Sequence, residues 1–345
     1  MAGQINISIS NGKTTSTVAA PSAAFFDNIA KQQKATLHVK EDAAGNQYMF
    51  QFKDFQNKVN KVVLKGREGD GGSKGIMYPG SKMFKIPASY YTEIGADPSM
   101  AKVLDFVSSN EGKYDAINSW DRAFFSFGFI QFAGGKRSLQ SLLALIKYRD
   151  PFVFSDCFQR FGIDVEYTFG NNKFANPPQT QIVVKDPATK KVYKGDDAEK
   201  RLRDNKILTC AFVRAGHDPE VAKLQVLMAA YEYANPSLAR NISVKTASGT
   251  PVKAPASAFI TSPAGIATLV DLSVNKGVGG ANKYYFTPAI QTIINRDKLN
   301  TPAEIKGINQ RDVLLELINA AVARDNDRYG IVRKRVTKAL QHFGG

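Results

Sequence analysis

The sequence predicts an α+β fold: a mainly helical part, a small β-rich module ahead of it, and a β-hairpin inserted between helical stretches. Three patterns carry this prediction. Residues 35–40 and 47–53 alternate apolar and polar side chains around a turn at 42–46, the period of half-buried strands. After residue 98 the apolar positions fall at helical spacing, as in Leu139, Leu142, Leu143, Leu145 and Ile146. Residues 180–193 then return to β character on both sides of a turn at Asp186-Pro-Ala-Thr.

In chain order, residues 1–30 are rich in Ser, Thr and Ala and read as a flexible or extended arm. Residues 31–95 form the β-rich module, with strands at 35–40, 47–53 and 61–65 and a Gly-rich loop at 68–75. Wall binding, attachment to a delivery machine or packing against a cleft would each suit such a module. Residues 96–345 form the main domain. Its first helix is capped by Asp97 before Pro98, and it ends near Glu111. The hairpin insertion occupies 162–194, a charged helix 196–205 and a buried apolar segment 207–215. Asp218-Pro219-Glu220 is a helix start, with a capping carboxylate, a proline suited to the first turn and an acid at the positive dipole end. Residues 250–255 read as a Pro-rich connection. Ser262-Pro263 opens a helix carrying Asp271 and Asn275 on one face, toward a cleft or toward solvent. Helices over 310–323 and 328–341 close the chain, the latter with a solvated basic face at Arg333, Lys334, Arg335 and Lys338.

Composition removes several function classes. Aliphatic and aromatic residues make up 43% of the chain, enough for a sizeable core. No run is long enough to span a bilayer. Cys157 and Cys210 are far apart among apolar neighbours and read as buried thiols or one bridge. His38, His217 and His342 are isolated, so neither a metal site nor a Ser-His or Cys-His nucleophile is expected, and no cofactor motif is present. The net charge of +15 points to an anionic partner. Nucleic acid is not expected, because the cations are spread out and no recognition motif accompanies them.

The chemistry concentrates at residues 111–132. Glu111 closes a helix, where the negative end of the dipole favours the protonated acid, and Phe124, Phe125, Phe127 and Phe129 would desolvate a nearby carboxyl. Asp121 supplies a second carboxylate in the following loop, with Asp115 as the alternative. Two carboxylates in unlike surroundings are what glycosidic hydrolysis requires: one protonates the leaving oxygen, while the other activates water or stabilises the cationic sugar. The structural alternative is a Glu-Gly helix end used only as a C-cap, with the rings as ordinary core.

The order of Glu111, a loop with a second acid, Gly128-Phe-Ile-Gln131 and a following helix resembles the lysozyme-like superfamily of goose-type lysozymes, lytic transglycosylases and chitosanases. Residues 262–277 are similar to a helix of that superfamily's second lobe. The Glu-Ser pair usual in lytic transglycosylases is Glu111-Gly112 here. The resemblance implies a lysozyme-like catalytic domain, sugar binding by Asn118, Gln131, Asp271 and Asn275, and stacking of a pyranose on Trp120 or Tyr114. Charge then selects among substrates. A positive field repels chitosan, a polycation, and attracts the carboxylates of peptidoglycan. The expected activity is thus peptidoglycan glycan-strand hydrolysis, with chitosanase, lytic transglycosylase or a non-catalytic component of a phage or secretion particle as rivals. The N-terminus lacks a basic segment followed by an apolar run, so a standard secretory signal is not expected. Such a chain, made in the cytoplasm, would reach the wall by lysis, injection or non-standard export, accompanied by a delivery apparatus or an immunity partner.

Overall fold

A computed structural model describes residues 13–69, 74–95, 99–121, 123–171, 173–325 and 330–344. It is an α+β protein, about half helix and a fifth strand, and the strand pairs described are all antiparallel. The chain divides into two compact units. One comprises Ile7–Ile86 and Glu111–Met228, and the other contains Pro87–Asn110 and Ala229–Gly345.

The first unit holds two sheets. Strand β1 (Thr14–Ser16) belongs to the five-stranded one, and β2 (Leu37–Glu41), β3 (Gln47–Lys53), β4 (Val59–Glu68), β5 (Lys74–Tyr78), β6 (Ile117–Asn118), β7 (Ser126–Phe127) and β8 (Phe132–Ala133) form a seven-stranded meander in sequence order. Alternation in β2–β5 is clean: Leu37, Tyr48, Phe50, Phe52, Leu64, Ile76 and Tyr78 are buried on one face. The helix Lys206–Ala215 packs against β2 and β3, and its Phe212 meets Phe125 and Phe127 at ring separations of 4.8 and 5.1 Å. Of the rings expected to desolvate Glu111, Phe125, Phe127 and Phe129 are core, within 1% of full burial, and Phe124 is half-buried. Strands β9 (Ile163–Gly170), β10 (Lys173–Phe174), β11 (Gln181–Asp186) and β12 (Lys191–Lys194) complete the second sheet, so the expected hairpin insertion supplies four of its five strands. The helix Ser138–Arg149 is buried on nearly all sides from Ser138 to Ile146, with its apolar positions at Leu139, Leu142, Leu143, Ala144, Leu145 and Ile146.

The expected arm is only partly described, since residues 1–12 lie outside the described residues. Its remainder is not an arm: β1 pairs with β9, and Ser22 caps the helix Ala23–Thr36 by accepting from the Phe25 amide, with Phe26 and Ile29 buried. The β-rich module does not end at residue 95 either, because β5 pairs with β6 beyond the candidate acid. The Asp97 cap falls outside the described residues.

In the second unit the helix Pro263–Lys276 is capped by Ser262 and closed by Gly277 at φ 76°. The helices Thr287–Asp297, Gln310–Asp325 and Ile331–Phe343 follow it. The expected Pro-rich connection is instead β14 (Pro251–Pro255), paired with β13 (Asn241–Lys245), and Pro251 and Pro255 at its two ends are where a missing N–H costs least. Cys157 and Cys210 are free and fully buried, and burial raises both thiols above their ordinary range.

Candidate functional site

Glu111 is the last residue of the helix Ser99–Glu111 and is half-buried. Gly112 follows it, and its glycine is required for a reason other than a left-handed cap: it is not among the positive-φ residues, but a side chain there would meet the Ala116 methyl at 2.7 Å. The same position lies 3.5 Å from Nε2 of Gln131. The turn after the acid and the expected sugar-binding glutamine therefore come together. Lys113 donates its amide to the Pro79 carbonyl (3.0 Å), fixing the chain as it leaves Glu111.

Gln131 is held in a costly conformation. Its φ is 55°, a region that non-glycine residues enter at about 1–2 kcal/mol, and both its amide (3.0 Å) and its Nε2 (2.9 Å) donate to the Gly128 carbonyl. Gly128, at φ 85°, packs its Cα against Gln225, whose Oε1 accepts from the Phe129 amide (3.1 Å) and whose Nε2 donates to the Tyr114 carbonyl (3.0 Å). Gln225 thus pins the turn at Gly128 and Phe129 that leads into Gln131. The sequence reading missed Gln225, because a buried polar residue inside an apolar helix has no local signature.

Asp121 sits in the loop between β6 and β7 and is half-buried. Its Oδ1 accepts from the Ala123 amide (2.9 Å) and its Oδ2 from Asn118 Nδ2 (3.1 Å), an Asx turn that aims the carboxylate. Trp120 is half-buried, and the Arg67 guanidinium already lies 3.7 Å above its ring, so one stacking face is taken. Tyr114, the other expected platform, is buried against Phe84 (5.8 Å) and Phe129 (5.3 Å) and offers no open face.

Asp115 is fully buried and saturated. Its Oδ1 accepts from the amides of Ser81 (2.8 Å) and Lys82 (2.7 Å), and its Oδ2 meets the Tyr78 hydroxyl (3.0 Å), the Ser81 hydroxyl (3.1 Å) and His217 Nε2 (3.2 Å). Burial alone would raise this carboxyl, but His217 and the two amides outweigh it and hold it below the usual range. Asp115 therefore has no edge left for water or sugar, which is a correction to its reading as an alternative second acid. His217, isolated in sequence, is its partner from 102 residues away.

Asp271 and Asn275 belong to the other unit, Asp271 fully buried and Asn275 half-buried. Asp271 is fully buried and accepts from Arg335 Nη1 (2.8 Å) and Asn110 Nδ2 (3.1 Å); Asn275 Nδ2 donates to the Asp271 carbonyl (3.0 Å). Burial raises the Asp271 carboxyl despite Arg335. Neither of the two expected faces holds for Asp271, which points into the unit's own core. The basic C-terminal helix is largely the solvated face expected: Arg333, Lys334 and Lys338 are exposed, with Lys338 Nζ also donating to the Ser109 carbonyl (3.1 Å) and to Asn110 Oδ1 (2.7 Å), and only Arg335 is half-buried, on Asp271.

No cluster of three or more His, Cys, Asp or Glu suited to a metal ion occurs among the described residues. No helix among them is long and apolar enough to cross a membrane. No family model matches the sequence, and no curated protein or solved structure is significantly similar to it.

Proposed function

We propose that the protein is a glycoside hydrolase of the glycan strands of peptidoglycan, with Glu111 as general acid and Asp121 as the second carboxylate. One observation carries this reading. The turn following a helix-terminal glutamate lies beside a glutamine in a left-handed conformation, at the end of a turn that buried Gln225 pins at Gly128 and Phe129, and the loop between them carries a half-buried aspartate. A purely structural helix end gives no reason for strain at Gln131. The order of parts in the sequence resembles that of the lysozyme-like superfamily, and a lysozyme-like layout belongs to the same proposal.

Glu111 donates its proton to the glycosidic oxygen as the bond to the anomeric carbon breaks, and the departing sugar leaves as an alcohol. Asp121 faces the developing positive charge: it activates the water that adds to the anomeric carbon or stabilises the cation until water arrives. Asn118 fixes the Asp121 carboxylate, and Gln131 binds a sugar hydroxyl. The charge of +15 draws the enzyme to a carboxylate-bearing wall and away from chitosan.

The test is parallel digestion of purified peptidoglycan and chitosan by the wild-type chain and by Glu111→Gln, with products read by mass spectrometry. Hydrolysed muropeptides from the wild type, and loss of about a hundred- to ten-thousand-fold in a folded Glu111→Gln protein, are expected. Anhydro-muropeptides would replace the mechanism with transglycosylation, and glucosamine oligomers would replace the substrate. Normal turnover by folded Glu111→Gln would remove Glu111 from the chemistry.

A further inference from the structure

Strands β2–β5 bury one face against the core and leave the other in solvent. On the open face stand five cations, Lys40 in β2, Lys53 in β3, and Lys61, Lys65 and Arg67 in β4, all exposed. Between them lie the exposed apolar side chains of Met49, Val63 and Met77. These strands place no carboxylate there. Glu41 alternates to the other side, where it accepts from the Tyr48 hydroxyl (3.1 Å), and Glu68 shares the side of buried Leu64. Among the described residues none of the five cations forms an ion pair. No two of the five are cross-strand partners, since Lys40 pairs with Met49, Lys53 with Val59, Lys61 with Gln51, Lys65 with Gln47 and Met77, and Arg67 with Gly75; the face is therefore an array of spaced positive charge that an extended anionic ligand would complement.

The register ties this face to the proposed site. Lys65 pairs with Met77, Met77 pairs with Asn118, and the Asn118 amide holds the Asp121 carboxylate. Arg67, at the end of the same strand, stacks on Trp120 next to Asp121. A row of cross-strand neighbours therefore runs from the basic face to the second acid.

We propose that the open face of β2–β5 is a binding site for an anionic glycan, in which Lys40, Lys61 and Lys65 hold carboxylates along the strand and deliver it to Asn118 and Asp121. The occupant follows from charge complementarity together with continuity into the site, and the inference rests on the glycosidase reading for that continuity. A duplex or single-stranded nucleic acid would meet the same cations but would have no reason to be led to Asp121.

The experiment measures co-sedimentation of the full chain with insoluble peptidoglycan sacculi, in a Glu111→Gln background so that binding is read without turnover. One variant carries Lys40→Glu, Lys61→Glu and Lys65→Glu. A control carries Lys253→Glu, Lys298→Glu and Lys306→Glu, exposed cations of the other unit, so both triples lower the net charge equally. The sheet triple should weaken binding at low salt by at least about tenfold, the control by less than about threefold, with the difference shrinking as salt rises. Equal losses in the two triples would overturn the proposal in favour of the general field of the molecule, and no loss in either would overturn it outright. Tighter binding of a DNA oligonucleotide than of sacculi, abolished by the sheet triple, would overturn it in favour of nucleic acid. If the wild-type chain cleaves no glycan while the sheet triple still loses sacculus binding, the glycosidase reading fails and the binding face stands.

Discussion

Asp115 and Asp121 are close in sequence, yet their surroundings assign them opposite work. Asp121 is half-buried and accepts two hydrogen bonds, whereas Asp115 is fully buried and spends both oxygens on five, from Tyr78, Ser81, Lys82 and His217. Asp115→Asn should therefore cost about 3–5 kcal/mol in denaturant unfolding, because it breaks a buried pair and leaves His217 facing an amide. Asp121→Asn should leave stability within about 1 kcal/mol and lower peptidoglycan turnover by about a hundredfold or more. A stable but inactive Asp115→Asn protein would reverse the two roles. The sign of the pH effect follows from the depressed Asp115 carboxyl: its stabilisation is complete above the unfolded value near 3.8 and is lost as pH falls through the lower folded value. Acid unfolding of Asp115→Asn should then show a shallower loss below pH 4 than the wild type. The sequence could not rank these two acids, because what separates them is contact with residues 34 and 102 positions away.

At the scale of elements, local chemistry was readable where it was complete. The alternation in β2–β4, the Asp218 and Ser262 caps and the apolar stripe of the helix Ser138–Arg149 each specify their element, and each is present. Elements that depend on a distant partner were not readable. The Ser/Thr/Ala-rich stretch hides β1, which exists only through β9, and β14 is visible as a strand only once β13 lies beside it. Helix Asp196–Asp204 carries a similar surprise in Glu199, read as one charge among many but 2% exposed. Its Oε1 accepts from Gln140 Nε2, its Oε2 has no partner, and Gly134 fits beside it only because it lacks a side chain. Burial, with Asp196 nearby, pushes this carboxyl up to about 7. Between the unfolded value of 4.5 and about 7 the folded chain holds a proton that the unfolded chain has released, so this contribution to stability is complete below 4.5 and lost as pH rises through about 7. Glu199→Gln should remove that decline and unfold at higher denaturant than the wild type at pH 8, by on the order of 2–3 kcal/mol. Parallel pH profiles for the two proteins would mean that the carboxyl finds solvent in the folded state.

At the scale of the whole molecule, the division into units was the least readable feature. A linear reading places a boundary near residue 95, but Pro87–Asn110 joins Ala229–Gly345, and the chain returns to its first unit at Glu111. Composition does not change at those crossings, so nothing in the sequence marks them. Net charge, by contrast, is fully legible and acts on the molecule as one field. On the proposed glycosidase reading, a charge of +15 would attract the chain to a wall carrying carboxylates and speed encounter without altering the chemical step assigned to Glu111. Raising ionic strength shortens the screening length to roughly 8 Å at physiological salt and about 3 Å at 1 M, so the long-range part of the attraction disappears first. Turnover of peptidoglycan at low substrate should therefore fall steeply with salt while kcat at saturating substrate changes little. Chitosan, repelled by the same field, should show weak cleavage or none, with any cleavage improving as salt rises. Kinetics at several salt concentrations on both polymers check this directly. Efficient low-salt cleavage of chitosan, with peptidoglycan untouched, would transfer the substrate to the cationic polymer and leave Glu111 as its general acid.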